Sequence, residues 1–546
     1  MAAEYKLKDL KSLDLKQGEK REVEVEGVEE GKVLLLNVGG TITALGSKCT
    51  HYGAPLVKGV LTGDGRLTCP WHGACFNAAN GDIENAPAID ALPSFKVSEK
   101  DGAVYISGEK DTIKGSRRKP FVKCSSVGPE KVVVVGGGSA TIGTVEALRE
   151  NGFKGSVTVI GSEGYLPIDR TKLSKALIPD ETKIALRDDA WFKSADVAWV
   201  KDQVTDVDFS SKKVTTESGS TYPYSKLVLA TGGSPNSLPL PGFKDLGNIF
   251  LLRTVPHVKS ILAAIGDKNK KIVIVGSSFI GMEVANATAK ENDVTVVGME
   301  STPLERVMGA EVGKIFQKSL EGNGVKFYMN AGVEKALPSK SDPSKVGFVE
   351  LKDGSKLECD LVILGIGVRP ATAFLQGNKA VELQKDGSLK TDEHFAVEGL
   401  KDVFAVGDIA TYPYHGPGGN GTPTRIEHWN VAQNAGRGAA SKIINPSIDA
   451  KAFIPIFWSA LGAQLRYCGN TVNGWDELVL KGEPENAKFA AYYCKGETVV
   501  AVASMQMDPV MTQASELMRR GKMPSKSELQ KGVDILEIRV PAEIKI

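Results

Sequence analysis

The sequence predicts a multidomain fold: an antiparallel β domain at the N-terminus, two α/β domains of one general design, and an α+β domain at the C-terminus. Three observations carry this. Residues 5–108 read as short alternating strands, among them KREVEVEGV, KVLLLNVG and SFKVSEKDGAVYISG, broken by Gly and Asp turns. Two openings of apolar strand, glycine turn and helix stand at 131 (KVVVVGGGSATIGTVEALRE) and 270 (KKIVIVGSSFIGMEVANATAK). From residue 450 onward the texture changes to alternating runs (DELVLKG, AKFAAYYCKGETVVAVASM) and then a polar helical tail.

The resulting map places the β domain at 5–108 and a charged, Pro-containing linker at 109–128. The first α/β domain takes 129–256 and 384–448, the second 257–383, and the last domain 449–546. Composition sets limits on function. Lys and Arg number 67 against 66 Asp and Glu, a net charge of +1, which leaves no electrostatic footprint for nucleic acid or a membrane surface. Seven cysteines, odd and sparse, point away from a secreted disulfide scaffold and toward a reducing compartment. The first 25 residues mix Lys with Asp and Glu and hold no apolar run, so they match neither a secretory signal nor a transit peptide. No stretch approaches the ~18 apolar residues of a membrane span. The default address is cytoplasmic, with mitochondrial as the alternative. Glycine is the informative excess, at 59 residues.

In the β domain, Cys49-Thr-His51 and Cys69-Pro-Trp-His72 form C-x-H and then C-x-x-H, each in a Gly/Pro-rich loop. One Cys and one His from each loop supply four ligands. Zinc accepts two of each, but finger sites usually pair C-x-x-C with H-x₃₋₅-H on a helix. Interleaving suits a cluster with two thiolates on one iron and two imidazoles on the other, the Rieske [2Fe-2S] arrangement.

This segment resembles a Rieske ferredoxin-type domain. The resemblance implies that Cys49 and Cys69 bind one iron, and His51 and His72 the other. High-potential members carry an extra Cys in each cluster loop, where this chain has Ala54 and Trp71. They also place hydroxyls near the cluster where Ala74 and Phe76 stand here. Hydrogen bonds to cluster sulfurs raise the potential, so their loss predicts the lower end of the Rieske span of roughly −150 to +300 mV. Cys75 reads as a small buried residue, not a ligand.

Both α/β openings are imperfect Rossmann-like fingerprints. In the first, Gly136 permits the tight turn and Gly138 lets the backbone approach a pyrophosphate at the helix N-terminus. Thr141 replaces the third glycine, which predicts looser helix–strand packing. Three later segments reinforce the reading: LPIDRTKLSK, LVLATGGSPNSLPLPG and VFAVGDIA. In the second opening Ser278 takes the place of the middle glycine. The acid expected after the next strand, at Gly298, is displaced to Glu300. No Arg cluster replaces it to hold a 2′-phosphate, which favours NAD(H) over NADP(H).

Taken together, residues 129–546 resemble the two-dinucleotide-binding flavoprotein reductases, in the apoptosis-inducing-factor-like group that carries an N-terminal Rieske domain. The resemblance implies that Gly136, Gly138 and Ser139 hold the FAD pyrophosphate and that Arg170 and Lys175 contact the flavin nucleotide. Val204, Arg253 and Asp408 match further FAD contacts, and His428-Trp429 the segment that meets the isoalloxazine ring. The acid usual for the adenosine ribose is Ser162 here, with Glu163 adjacent. Gly276, Phe279, Ile280, Gly281, Glu300 and Gly367 match the NAD side.

The stretch YLPIDRTKLSKALIPD contains no redox cysteine pair, which disfavours thiol–disulfide chemistry. No residue reads as a catalytic general base, and Glu427 reads as orienting its segment. Trp458 reads as a core aromatic, and Cys124, Cys359, Cys468 and Cys494 as ordinary buried thiols. The implied function is an NAD(P)H-dependent FAD oxidoreductase that passes electrons to a Rieske cluster and on to an acceptor, protein or small molecule, that the sequence does not name. Two other classes stay open: a redox-sensing, apoptosis-related signalling protein of the same group, and the ferredoxin-reductase component of an oxygenase or nitrite-reducing system. The C-terminal strands either cover the flavin or form a homodimer face.

Overall fold

The structure, a computed structural model, describes residues 3–118 and 127–540. The N-terminal domain pairs a six-stranded antiparallel sheet with a smaller four-stranded one. Its strand Lys32–Val38, next to the edge strand Lys20–Glu24, is buried on both faces. Val33 and Leu35 fill one core with Val104 and Ile106. Leu34 and Leu36, pointing the other way as the two-residue period requires, pack with Cys49, Cys69 and Ala74 beneath the cluster loops. The segment read as a linker contributes a short helix, Lys110–Gly115, whose Ile113 joins the first core. Cys124 lies outside the described residues.

The first α/β unit is a parallel sheet ordered Val197–Lys201, Ser156–Gly161, Lys131–Val135, Lys226–Leu229, Val403–Ala405. After the exposed Lys131, Val132–Val135 is an unbroken apolar run because both of its faces are covered. Val132 and Val134 meet the helices, and Val133 and Val135 the opposite layer. Helix Ser139–Glu150 is buried along nearly its whole length against helix Trp429–Ile444. A Cβ on Gly143 would run into the Gln433 carbonyl oxygen, and one on Gly436 into that of Ala140. Thr141 is fully buried, and its hydroxyl donates to the Gly136 carbonyl at 2.8 Å.

The second unit is also parallel, ordered Ile249–Leu251, Leu361–Leu364, Lys271–Val275, Asp293–Val297, Lys326–Tyr328. Its first strand, Ile249–Leu251, precedes residue 257, so the chain enters this sheet before the second glycine turn. The last sheet is antiparallel, ordered Ile456–Leu461, Ala463–Gly469, Thr498–Met505, Lys488–Lys495, Glu477–Glu483. Its strand Lys488–Lys495 alternates cleanly. Phe489, Ala491 and Tyr493 join the core of the second α/β unit, and Ala490, Tyr492 and Cys494 pack with helix Val510–Arg519. Both sheet faces are thus covered within the chain. Among the described residues no helix is long and apolar enough to cross a membrane.

The N-terminal domain is seated on two helices. The Asn434 side-chain oxygen accepts from the Ala86 backbone N–H at 2.9 Å, and the Asn430 amide donates to the His72 carbonyl at 3.3 Å. From helix Val510–Arg519, the Thr512 hydroxyl donates to the Cys69 carbonyl at 3.0 Å, and Glu516 accepts from the Thr68 hydroxyl at 2.9 Å. The second cluster loop is fixed by these contacts.

Candidate functional site

The two cluster loops are built alike. The Cys49 N–H donates to the Ala54 carbonyl and the Cys69 N–H to the Ala74 carbonyl, each at 2.8 Å. These matching turns bring the two thiols together. Hydrogen bonding to Cys69, with burial, pushes the Cys49 thiol well up. Burial works against the Cys69 thiolate, but the Cys49 thiol and the backbone N–H groups of Trp71 and His72 outweigh it and lower its pKa. The His51 and His72 Nδ1 atoms approach to 3.1 Å. The four side chains therefore stand as one sulfur pair and one nitrogen pair. Among the described residues no three His, Cys, Asp or Glu side chains close on a single-ion position. That donor set fits a dinuclear cluster better than one zinc ion. Cys75 is fully buried, accepts from the Thr68 hydroxyl at 3.3 Å, and is pushed up to about 12 by burial, as an inert thiol would be.

Beside the cluster loops opens a cavity of about 840 Å³. All of the residues expected on the FAD side line it: Gly136, Gly138, Ser139, Arg170, Lys175, Val204, Arg253, Asp408, His428 and Trp429. Gly136 has φ +115°, and a Cβ there would meet the Ala230 carbonyl oxygen. Gly138, at the start of helix Ser139–Glu150, faces open space, and no side chain caps the helix N-terminus. The free N–H groups suit an anion.

The cavity's charges are paired in advance. Arg253 Nη2 meets Asp408 Oδ2 at 2.7 Å. Arg170 Nη2 meets Glu163 Oε2 at 2.7 Å, and its Nη1 donates to the Arg253 carbonyl at 2.6 Å. Burial opposes ionisation of Glu163, yet Arg170 holds it below its ordinary range. Lys175 Nζ lies 2.8 Å from Glu283 Oε1, and the Ser174 and Ser459 hydroxyls donate to the same carboxylate at 2.5 and 2.6 Å. His428 is pulled down to about 4 by burial, and its Nδ1 is buried without a hydrogen-bond partner.

On the NAD side the expected residues divide. Phe279, Ile280 and Gly367 line the cavity. Gly276 and Gly281 do not: they shape the turn behind it, where a Cβ on Gly276 would strike the Gly365 carbonyl oxygen and one on Gly281 that of Gly276. Glu300 also stands off the cavity wall, but it holds Arg306 Nε at 2.6 Å, and Arg306 lines the cavity. The Ser278 hydroxyl donates to the Gly365 carbonyl at 2.7 Å.

Aromatic rings join the two halves. The His72 ring lies 4.5 Å from Trp458, and His51 lies 6.2 Å from Trp429 in a stacked arrangement. Both tryptophans line the cavity. Trp458 is buried, as expected of a core aromatic, but it sits between cavity and cluster loops. On the outer side of His51, Tyr52 stacks at 3.8 Å and donates its hydroxyl to Asp169, the neighbour of Arg170.

Glu283, Ser459, Arg306 and the position of Trp458 escape a reading of motifs. Only Glu283 leaves a signal, as an acid on the otherwise apolar face of the helix Phe279–Thr288, where an acid is rarely buried unless paired.

Comparison with known proteins agrees with this layout. The family described as Pyridine nucleotide-disulphide oxidoreductase matches residues 130–436. The Rieske [2Fe-2S] domain matches 6–96, and the Reductase C-terminal domain 456–536. The chain is 37% identical over 526 residues to Apoptosis-inducing factor 3 of Homo sapiens, covering 95% of this chain and 84% of that protein. It is 30% identical to the ferredoxin–NAD(+) reductase subunit of the benzene 1,2-dioxygenase system of Pseudomonas putida, over 64% of this chain and 83% of that one. Among solved structures, the covalent putidaredoxin reductase–putidaredoxin complex aligns with a TM-score of 0.68 at 26% identity, covering 75% of this chain and 98% of that one.

Proposed function

The chain belongs to the pyridine nucleotide-disulphide oxidoreductase family, and on that premise we propose that it reduces its own Rieske cluster. Its activity class is that of an NAD(P)H-dependent FAD oxidoreductase with a [2Fe-2S] cluster. FAD, when bound, supplies the conversion between a two-electron nicotinamide donor and a one-electron acceptor.

The chain's own residues bind and orient. We assign the pyrophosphate to the N–H groups at Gly138 and Ser139, with Gly136 making the turn. Arg170, Lys175, Val204, Arg253, Asp408, His428 and Trp429 hold the rest of the FAD. Phe279, Ile280 and Gly367 face the nicotinamide nucleotide. Gly276 and Gly281 shape its turn, and Glu300 acts at the NAD ribose with Arg306 as its neighbour. Cys49 with Cys69, and His51 with His72, hold the cluster. We take NADH as the donor, because Arg306 of the cavity wall, which could otherwise meet a 2′-phosphate, is already paired with Glu300.

The observation that carries the internal route is the 4.5 Å contact of the His72 ring with Trp458, a residue of the cavity wall. In the putidaredoxin complex the redox partner is, by its name, a second protein. Here the Rieske domain is part of the chain and is seated over the cavity by Asn430, Asn434, Thr512 and Glu516. The final acceptor then takes single electrons from the cluster. Cysteines that must stay reduced until iron arrives suit a cytoplasmic or mitochondrial-matrix setting, of which we favour the cytoplasm.

The test is an anaerobic NADH titration of the FAD- and iron-loaded protein, followed by visible absorption and EPR. Flavin bleaching and the reduced-cluster EPR signal should grow together. Bleaching of the flavin beside a cluster that stays oxidised would sink the internal route.

A further inference from the structure

Arg466 is a basic residue buried to 4% exposure in the strand Ala463–Gly469 of the C-terminal sheet, with no place in any motif. In the strand register it lies directly opposite Trp458, so the two side chains share one sheet face. That is the face on which Trp458 meets the His72 ring at 4.5 Å. The helix that follows this sheet reaches the same place, where the Thr512 hydroxyl donates to the Cys69 carbonyl at 3.0 Å.

The partners of Arg466 do not account for its charge. Nη1 donates to the Gln464 side-chain oxygen at 3.2 Å. Nε makes no hydrogen bond, and its nearest carboxylate, Asp508 Oδ1, stands 3.6 Å away on a side chain that is 32% exposed. A structural ion pair would close this gap, since a buried guanidinium gains most from a short, bidentate contact. Burial pulls the guanidinium down, and Asp508 and the Cys69 thiolate pull it back. This buried cation therefore lies on the sheet face whose Trp458 meets the nitrogen ligand His72, next to the helix that holds the sulfur ligand Cys69.

We propose that Arg466 is a positioning residue for the electron: a buried cation, supplied by the C-terminal domain, that raises the reduction potential of the Rieske cluster. This rests on the cluster reading above. Two ferric irons, two sulfides, two thiolates and two neutral imidazoles would sum to no net charge, and one added electron would leave one negative charge. A fixed positive charge in a buried site stabilises only the second state. The residues that would otherwise do this with hydroxyls are the apolar and buried Ala74 and Phe76. Arg466 offsets their absence from outside the Rieske domain.

The test is an EPR-monitored redox titration of full-length, cluster-loaded protein. Arg466→Gln should lower the equilibrium constant for cluster reduction about tenfold, equal to about 59 mV for one electron. Arg466→Lys, which keeps the charge, should stay near the parent. Asp508→Asn, which removes the opposing charge, should move the midpoint upward. The sign reversal separates charge from packing, and the Lys and Asn variants decide the matter where the Gln variant does not fold. Midpoints unchanged in Arg466→Gln and Asp508→Asn, with iron content and EPR line shape intact, overturn the proposal. If the loaded parent protein shows no Rieske EPR signal, the cluster reading itself fails, and this inference with it.

Discussion

The Nδ1 atoms of His51 and His72 stand 3.1 Å apart, on rings that meet edge to face at 84°. Metal–imidazole bonds of about 2.1 Å at a tetrahedral angle would place two donors about 3.4 Å apart, close to the spacing of this pair. The pair is spaced as neighbouring ligands of one iron. His72→Ala should remove bound iron and the Rieske EPR signal while FAD content stays near that of the parent. The iron-to-flavin ratio of the purified protein is the check, and full iron occupancy would count against the assignment.

Two glycines two residues apart should behave differently. At Gly136, with φ +115° and the Ala230 carbonyl in the way of a Cβ, alanine strains the turn whether or not a ligand is present. Gly136→Ala should cost on the order of 3 kcal/mol in denaturant unfolding of the apoprotein. Gly138 has φ −97° and open space where a Cβ would go. Gly138→Ala should unfold like the parent yet bind FAD about tenfold more weakly, by flavin fluorescence, because the methyl occupies room meant for a phosphate.

Lys175 and Glu283 form the most enclosed ion pair of the cavity, with the Glu283 side chain 3% exposed. Lys175→Met leaves that carboxylate with only the Ser174 and Ser459 hydroxyls. Removing one partner of a buried pair costs about 3 kcal/mol. Thermal unfolding should fall accordingly. Lys175→Met combined with Glu283→Gln should recover much of the loss, since no uncompensated charge remains.

His428 gives a pH dependence whose sign can be worked out. Its folded pKa is pulled from 6.5 down to about 4, so between those values the unfolded chain binds the proton and the folded one does not. The stabilising contribution is complete above pH 6.5 and is lost as pH falls toward 4. The slope is on the order of 1 kcal/mol per pH unit, reduced from the full linkage value because the ring borders an open cavity. The difference in unfolding free energy between parent apoprotein and His428→Gln should vary with pH in this window and flatten above it. A flat difference throughout would show that the ring is solvated.

Glu300 restrains Arg306 at 2.6 Å. Glu300→Ala should free the guanidinium at the edge of the cavity and remove a carboxylate that repels a 2′-phosphate. The ratio of kcat/KM for NADPH over NADH should rise about tenfold, an effect of about 1.4 kcal/mol. An unchanged ratio would move the ribose site elsewhere.

What the sequence disclosed and what it withheld divide by distance along the chain. The cluster ligands, the glycine turns and the GD pair are local patterns, each with its chemistry packed into a few neighbouring residues. Glu283 lies 176 residues from the Ser459 that hydrogen-bonds it, and Thr68 lies 448 from Glu516. Such pairs exist only once the C-terminal sheet is seated on the second α/β unit, and no spacing rule encodes that seating. Trp458 illustrates the ambiguity: an aromatic in a strand is buried whether it packs against leucine or against a cluster ligand. Thr141 illustrates the reverse case. The third glycine of the fingerprint is absent, while the close approach of the two helices rests on Gly143 and on Gly436 of the facing helix, which no fingerprint names.

The seating of the Rieske domain on Asn430, Asn434, Thr512 and Glu516 also has a kinetic consequence. A reductase that must find its carrier by diffusion slows as either protein is diluted, and its rate saturates with carrier concentration. A tethered, pre-docked pair has an effective concentration fixed by the fold. Flavin-to-cluster transfer becomes first order, insensitive to dilution and to the ionic strength that governs encounter between separate proteins. Abundance then sets how many molecules turn over, while the speed of each is the same in a crowded cell and in a dilute cuvette.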